Sequence, residues 1–241
     1  MIAEKICNDH NIRIVCIFRE NSSRIKNKIT RPFADTTLLQ LKIKQLISSV
    51  NFTNIFLGGT CTGIDLGYDD KMFRKIYREI DNEIDNEVPF STVLTDIFQN
   101  VKAKVGKTSH LLITYPTSPF FDAPCYTRAV VEYYKNVIRD RKHDSIVSVY
   151  KHKSFFYDHN RKAINYTPTA EGHAYTQDIK PVYELNNALY GGPLDLLLEK
   201  EYFLGDKPFF LECSKLESVD IDTPTDFKMA ESFYQKASDI L

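Results

Sequence analysis

Residues 12–18 read Ile12-Arg13-Ile14-Val15-Cys16-Ile17-Phe18, and they run directly into Arg19-Glu20-Asn21-Ser22-Ser23-Arg24-Ile25-Lys26-Asn27-Lys28. A near-continuous run of β-branched and aromatic residues predicts a strand buried on both faces, as in a parallel sheet covered by helices. The segment that follows is polar and rich in cations. In open α/β sheets, ligands bind beyond the carboxyl ends of the strands, so this loop is the first place to look for a site.

The rest of the chain repeats the strand-then-helix rhythm. Residues 37–50 place Leu38, Leu41, Ile43, Leu46 and Ile47 at helical spacing. Residues 54–57 (NIFL) read as a second strand stopped by Gly58-Gly59, and residues 69–85 as a charged helical stretch. Residues 109–114 (SHLLIT) predict a third strand closed by Pro116, and residues 123–139 a helix with Ala129, Val130, Tyr133, Tyr134 and Val137 inward. Strands over 145–150 and 208–211 and a helix over 224–240 complete the reading. The alternation indicates an α/β fold with a mainly parallel sheet. Residues 151–195 break the rhythm and read as an excursion. The domains expected are therefore 1–150 with 196–241, and a small subdomain over 151–195. The tandem tetrapeptide EIDNEIDNE at 79–87 reads as a solvated helix end or loop.

Composition narrows the class. With 241 residues, 43% hydrophobic and 26% charged, the chain reads as one large domain with a small appendage. A net charge of −1 argues against a nucleic-acid binder. The start, MIAEKICNDH, has acids where a secretory leader has cations, and no apolar window is long enough to span a membrane, so a cytoplasmic chain is expected. The 5 cysteines (Cys7, Cys16, Cys61, Cys125, Cys213) form no CxxC pair and read as buried reduced thiols. The 6 histidines (His10, His110, His143, His152, His159, His173) show no HxxxH or HExxH spacing and read as structural. No G-x-S-x-G elbow is present, which argues against a serine hydrolase.

The small net charge hides an uneven distribution. Residues 13–31 hold six cations (Arg13, Arg19, Arg24, Lys26, Lys28, Arg31) and one acid (Glu20). Of the chain's 31 Lys+Arg and 32 Asp+Glu, that leaves 25 and 31 for the remainder. Cations interleaved with Asn and Ser can wrap a polyphosphate; the chain lacks GxxxxGK[ST], so this is not a Walker loop. Near the other end, Asp220-Ile221-Asp222 alternates, so both carboxylates share one side of an extended backbone. Two carboxylates together with substrate phosphates and water suit Mg²⁺. Thr223 then fits an N-cap, Pro224 the first helical position and Asp226 the third.

Five motifs carry a family resemblance. Arg19-x-Asn21-Ser22-x-Arg24-Ile25-x-x-Lys28 resembles the nucleotide loop A-R-x-G/N-S-K-R/G-I/L-P-x-K-N of the acylneuraminate cytidylyltransferases. Residues 115–120 (YPTSPF) resemble their Q-P-T-S-P-L, and residues 144–149 (DSIVSV) their D-S-V-V-S-V. Residues 177–190 (QDIKPVYELNNALY) are similar to R-Q-D-L-P-P-x-Y-x-E-N-G-A-I-Y, and residues 220–231 to D-I-D-x-x-x-D-F-x-x-A-E. The motifs occur in the family's order along nearly the whole chain.

The resemblance implies a Rossmann-like nucleotidyltransferase fold, a homodimer built partly by residues 151–195, and Mg²⁺-dependent transfer of CMP from CTP to a sugar acid, with release of pyrophosphate. It implies Arg19, Lys28 and Asp222 as catalytic residues, and Arg19, Asn21, Ser22, Arg24, Lys28 and Ser91 as nucleotide ligands. Tyr115, Thr117, Ser118, Gln177, Tyr183 and Asn186 would meet the acceptor, and Asp220 and Asp222 would hold the metal. Asn187 stands where glycine is usual and is expected at positive φ. The chain departs from the family at Ser23 and Ile29 in the loop, at Thr60, and near the acceptor at Tyr115, Phe121 and Thr176, the last two replacing arginines. An arginine fork is the natural partner of a carboxylate, so these departures point to a different acceptor, such as another nonulosonic acid or a surface-glycan precursor. The same residues also suit two alternatives: a different nucleotide or acceptor on this fold, and a catalytically silent binding subunit.

Overall fold

The computed structural model describes residues 2–19, 22, 24–59, 64–76, 89–106, 109–171 and 175–238. Among them, seven strands form one mixed sheet in the order β5-β4-β1-β6-β8-β7-β9. These are β1 (Ile12–Ile17), β4 (Ile55–Gly58), β5 (Arg74–Ile76), β6 (His110–Thr114), β7 (Ser145–His152), β8 (Val182–Pro193) and β9 (Pro208–Cys213), with a two-stranded hairpin of β2 (Pro32–Phe33) and β3 (Thr36–Thr37) beside it. The neighbours β5/β4, β4/β1, β1/β6 and β7/β9 pair in parallel, and β8 alone runs antiparallel to both its neighbours.

Alternation along β1 explains its unbroken apolar sequence. Ile12, Ile14 and Cys16 pack on one face with α1 (Ile2–Asp9), α2 (Leu38–Ile47) and α4 (Ala123–Tyr133). Val15 and Ile17 pack on the other with α3 (Phe90–Val105) and α5 (Leu194–Lys200). Both faces are dry, so every position of the strand except Arg13 is apolar. At the carboxyl end of the sheet, Gly59 lies so close to β1 that a Cβ there would sit 2.5 Å from the Phe18 carbonyl. Phe18 N–H donates to the Gly58 carbonyl at 3.0 Å, which keeps the two strand ends together.

Several expectations are revised. The charged stretch 69–85 is not a helix where it is described: it makes one 3-10 turn (Asp70–Met72) and then the short edge strand β5. A short, charged edge strand offers little surface for unwanted pairing. The tandem tetrapeptide at 79–87 lies outside the described residues, as do Cys61 and His173. The helix over 123–139 is α4 continued by a wide π-turn (Tyr134–Arg139). Three helices were unanticipated, α1, α3 and α5, although α3 carries a legible stripe of Val93, Leu94, Ile97, Phe98 and Val101, all buried. Residues 151–195 do not all leave the sheet: Val182–Pro193 return as β8, in the sheet between β6 and β7. The described cysteines Cys7, Cys16, Cys125 and Cys213 are buried thiols outside any disulfide, as expected.

A third apolar cluster lies apart from the two main layers. Ile25, Phe33, Leu38, Leu41, Ile221, Phe227 and Ala230 pack together, drawn from the loop after β1, the start of α2, residues 220–222 and α6 (Pro224–Ser238). This small core joins residues 25–41 to residues 221–230.

Candidate active site

The third cluster decides where the charges sit. Ile25 and Ile221 are both buried in the same cluster, and each is flanked by charged neighbours. Burial of the two isoleucines therefore brings Arg24 and Lys28 to Asp222. Arg24 Nη2 lies 3.0 Å from Asp222 Oδ1, and Lys28 Nζ lies 3.5 Å from the same oxygen. Lys28 is only 8% exposed and also donates to the Ile221 carbonyl at 2.7 Å. Ser22 Oγ accepts from the Ile25 N–H at 3.4 Å and shapes the first turn of the loop. Below the carboxylates, α6 begins with the expected reciprocal cap: Asp226 N–H donates to Thr223 Oγ1 at 3.2 Å, while the Thr223 N–H and hydroxyl donate to Asp226 Oδ2 at 2.7 and 2.8 Å. Asp222 N–H donates to the same carboxylate oxygen at 3.2 Å, so the cap also fixes the backbone of the candidate ligand.

Asp220 has a different environment from Asp222. Ile221 N–H donates to the Thr117 carbonyl at 2.9 Å, which lays residues 220–222 along the loop after β6. Burial raises the Asp220 carboxyl above its ordinary pKa, against the pull of Thr117 and Asn187, and nearby Asp222 adds to the rise. Asn187 Nδ2 donates to Asp220 Oδ2 at 3.1 Å, and Tyr190 donates its hydroxyl to Asn187 Oδ1. Tyr115 meets Tyr190 edge-on at 6.5 Å. Burial raises both phenols; the charge of Tyr190 adds to the rise of Tyr115 and that of Tyr202 to the rise of Tyr190, with Asp220 contributing in each case.

A β-bulge aims Asn187. The β7/β8 register pairs Val147 with Tyr190 but Val149 with Leu185, so β8 carries extra residues opposite Ser148. The Ser148 hydroxyl replaces part of the interrupted ladder: it accepts from Leu189 N–H at 2.8 Å and donates to Asn186 Oδ1 at 2.5 Å. Asn187 takes φ 57°, as its place in the motif implied, and projects from the bulge.

The remaining expected site residues fall in several places. Arg19 is exposed just past β1, and Ser91 is exposed in the first turn of α3. Asn21 and Thr60 lie outside the described residues. Ser118 is fully buried, so its hydroxyl is not presented at the surface. Asn186 is also taken up by the fold, because its amide donates to Ser218 Oγ at 2.9 Å and its oxygen accepts from Ser148 and from Ala188 N–H. Its neighbour Asn187 occupies the position facing Asp220. Tyr183 donates to Glu212 Oε1 at 3.4 Å and packs on Phe210, beside β9. Gln177 is exposed in the segment outside the sheet, where its carbonyl accepts from Lys153. Phe121, which replaces an arginine of the motif, is fully buried against Tyr126, so this substitution serves the core. Tyr190 was missed from sequence; its signal was the motif's final tyrosine, two residues after the bulge.

Among the described residues, no three or more His, Cys, Asp or Glu side chains gather as a metal cluster. The pair Asp220 and Asp222 still suits Mg²⁺, which commonly takes one or two carboxylates and fills its shell with substrate oxygens and water. Asp220 Oδ1 supplies the structural support: it is buried without a hydrogen-bond partner among the described residues. An oxygen of this kind is costly to bury unless a cation or donor completes it.

The chain matches no protein-family model and no curated protein sequence. Its fold does match solved structures. One is 4-diphosphocytidyl-2C-methyl-D-erythritol synthase from Anaerococcus prevotii DSM 20548, at TM-score 0.60 and 13% identity, covering 96% of this chain and 99% of that one. Another is CMP:2-keto-3-deoxy-manno-octonic acid synthetase complexed with CTP, at TM-score 0.60 and 12% identity, covering 94% of this chain and 99% of that one. At these identities the likeness establishes the fold alone, a Rossmann-like α/β fold shared with both enzymes. Among the described residues, no helix is long and apolar enough to cross a membrane.

Proposed function

We propose that this chain is a cytidylyltransferase, which transfers CMP from CTP to a hydroxyl of a sugar acid and releases pyrophosphate. The observation that carries the reading is the cluster of Lys28, Arg24, Asp222 and Asp220 at the carboxyl end of the sheet. Its support is the fold shared with two enzymes that make cytidine-nucleotide products, one of them solved with CTP.

The residues divide the work. Arg24 and Lys28 are ion-paired with Asp222, and they exchange that partner for phosphate oxygens when a triphosphate arrives. Following the resemblance, Arg19, Asn21 and Ser22 of the same loop would also bind the nucleotide, with Ser91 as a further ligand. Asp220 and Asp222 would hold Mg²⁺, which would neutralise charge on the attacked phosphate and on the leaving pyrophosphate. The acceptor oxygen forms a bond to the α-phosphorus as the bond to the bridging oxygen of pyrophosphate breaks; the acceptor proton passes to solvent. Such a displacement depends on positioning and charge neutralisation. Tyr115, Tyr190 and Asn187 form the acceptor side beside Asp220. The reading includes a homodimer through residues 151–195, where Tyr157, Ile164 and Tyr175 are exposed.

Pyrophosphate release tests the reading, with each of the four nucleoside triphosphates, with and without Mg²⁺, over a panel of sugar acids. Turnover with CTP and Mg²⁺ is the expected result. No turnover on any combination would overturn the enzymatic reading in favour of a binding subunit. Fastest turnover with N-acetylneuraminate would overturn the assignment of a different acceptor.

A further inference from the structure

Lys42 is fully buried in α2, while its helix neighbour Lys44 is exposed. A lysine in a dry helix–sheet interface needs a reason, because the transfer costs several kcal/mol unless the ammonium finds partners. Here Lys42 Nζ donates to the Ser118 carbonyl at 2.8 Å and to the Phe121 carbonyl at 2.9 Å. It also lies 5.1 Å from the centre of the Tyr126 ring. One turn away, the also buried Gln45 donates to the Pro119 carbonyl at 2.6 Å. Three carbonyls of residues 118–121 are therefore held from one helix. Two of those residues, Ser118 and Pro119, follow directly on Thr117, whose carbonyl accepts from Ile221 N–H between the two carboxylates.

We infer that Lys42 is a positioning residue for the Asp220–Asp222 pair, acting through the loop after β6. The carbonyls of Ser118, Pro119 and Phe121 point into the protein and pair with no strand. A leucine at 42 would leave the Phe121 carbonyl unpaired and the Ser118 carbonyl with only the Phe121 N–H at 3.3 Å, and the loop would turn to find water. Thr117 would move with it, and residues 220–222 with Thr117. The triphosphate loop also has holds that do not pass through residues 220–222: the Asn27 carbonyl accepts from the Thr30 and Arg31 N–H groups, and the Ile29 carbonyl accepts from the Leu39 N–H. Loss of Lys42 should therefore alter metal use and turnover much more than nucleotide affinity. Burial brings the Lys42 ammonium down to about 7, while Cys16 of β1, Cys125 of α4 and Asp122 ahead of α4 favour its charged form. Neutral or charged, the amine retains enough hydrogens for both carbonyls.

This inference rests on the proposed function, and its test separates the two. Lys42→Met keeps the volume and removes the donors; Gln45→Met removes the third hold, and Lys44→Met is the surface control. Expected for Lys42→Met is a fall in kcat of about tenfold to hundredfold and a rise in the Mg²⁺ half-saturation, with KM for CTP within about twofold of the parent. Gln45→Met moves the same quantities less, and Lys44→Met moves none. A merely structural role would lower kcat through the folded fraction and leave the Mg²⁺ half-saturation unchanged, and that result overturns the inference. Mn²⁺ binding to the intact protein, followed by electron paramagnetic resonance, needs no turnover. If the parent binds Mn²⁺ but releases no pyrophosphate, the enzymatic reading fails, and weaker Mn²⁺ binding by Lys42→Met still upholds the positioning role. Equal Mn²⁺ binding by parent and variant, or none by either, overturns it. If Lys42→Met does not fold, Gln45→Met carries the same comparison.

Discussion

Two loops flank the same pair of carboxylates, and they are built in opposite ways. Residues 24–31, after β1, turn on Asn27 at φ 52°, whose carbonyl accepts from Thr30 and Arg31 N–H groups, and they leave Arg24 and Lys26 exposed. Residues 116–121, after β6, bury Pro116, Ser118, Pro119 and Phe121 and give their carbonyls to Lys42 and Gln45. One loop offers cations to solvent and the other withdraws into the core. The difference suits two tasks: capture of a flexible, highly charged chain of phosphates, and a fixed floor for groups that must be aligned to a fraction of an ångström.

Four substitutions probe that contrast. Asp222→Ala acts where the loops meet and should be the most severe. Metal-dependent pyrophosphate release should fall by about a thousandfold or more, with the melting profile retained. Unchanged release would remove Asp222 from the site. Ile221→Ala takes the apolar wedge from between the carboxylates and should cost about 2–4 kcal/mol of stability by denaturant titration. A loss under about 1 kcal/mol would show that the third cluster does not hold the loops together. Lys28→Ala tests the capturing loop: CTP affinity by calorimetry should weaken about tenfold to fiftyfold. Unaltered affinity would count against this loop as the phosphate cradle.

Thr223→Ala is the mildest and acts through the α6 cap, at about 1 kcal/mol. Its pH dependence has a definite sign. Hydrogen bonds from Thr223 hold the Asp226 carboxyl below its ordinary pKa of 3.8, helped by the Asp222 N–H. The cap's contribution is therefore complete above that value and is lost as pH falls through the lower, folded-state pKa. The stability gap between parent and variant should be full near neutral pH and narrow as pH falls past the ordinary carboxyl value of 3.8 and through the lower, folded-state one. A gap that widens on acidification would contradict the reciprocal cap.

Legibility in the sequence followed the same contrast. The buried run 12–18, the cation-rich loop after it, the alternating Asp220-Ile221-Asp222 and the Thr223 cap are local patterns, and local patterns can be read. The strand β8 could not be read in this way. Its sequence, VYELNNALYGGP, lacks clean alternation and carries two asparagines and two glycines, which ordinarily signal a turn. It is a strand because β6 and β7 pair with it on both sides and Ser148 bridges the bulge. A Cβ at Gly191 would sit 2.4 Å from the Leu111 carbonyl, so the glycine that looked like a breaker permits the close approach of β8 to β6. For the same reason Asn186 and Asn187 exchanged places: the motif marked the pair, but only the bulge shows which one faces Asp220. Nothing in residues 37–50 marks Lys42 for burial, because the carbonyls that receive it belong to residues 118 and 121.

The contact between Lys28 and the Ile221 carbonyl closes a loop of 193 residues, and the Ala34 N–H that donates to Glu231 closes one of 197. Contacts of this span are the slowest to find and come late in assembly. A chain leaving the ribosome could order β1, α2 and β4 early, yet hold an incomplete site until α6 had been made. By the same reasoning, opening the α6 cap and its small cluster would separate the phosphate-capturing loop from the carboxylates before the sheet itself came apart. The region where residues 25–41 meet α6 and the segment before it is then the natural point for a quality check, since a nicked molecule could keep most of its sheet and still lack a complete site.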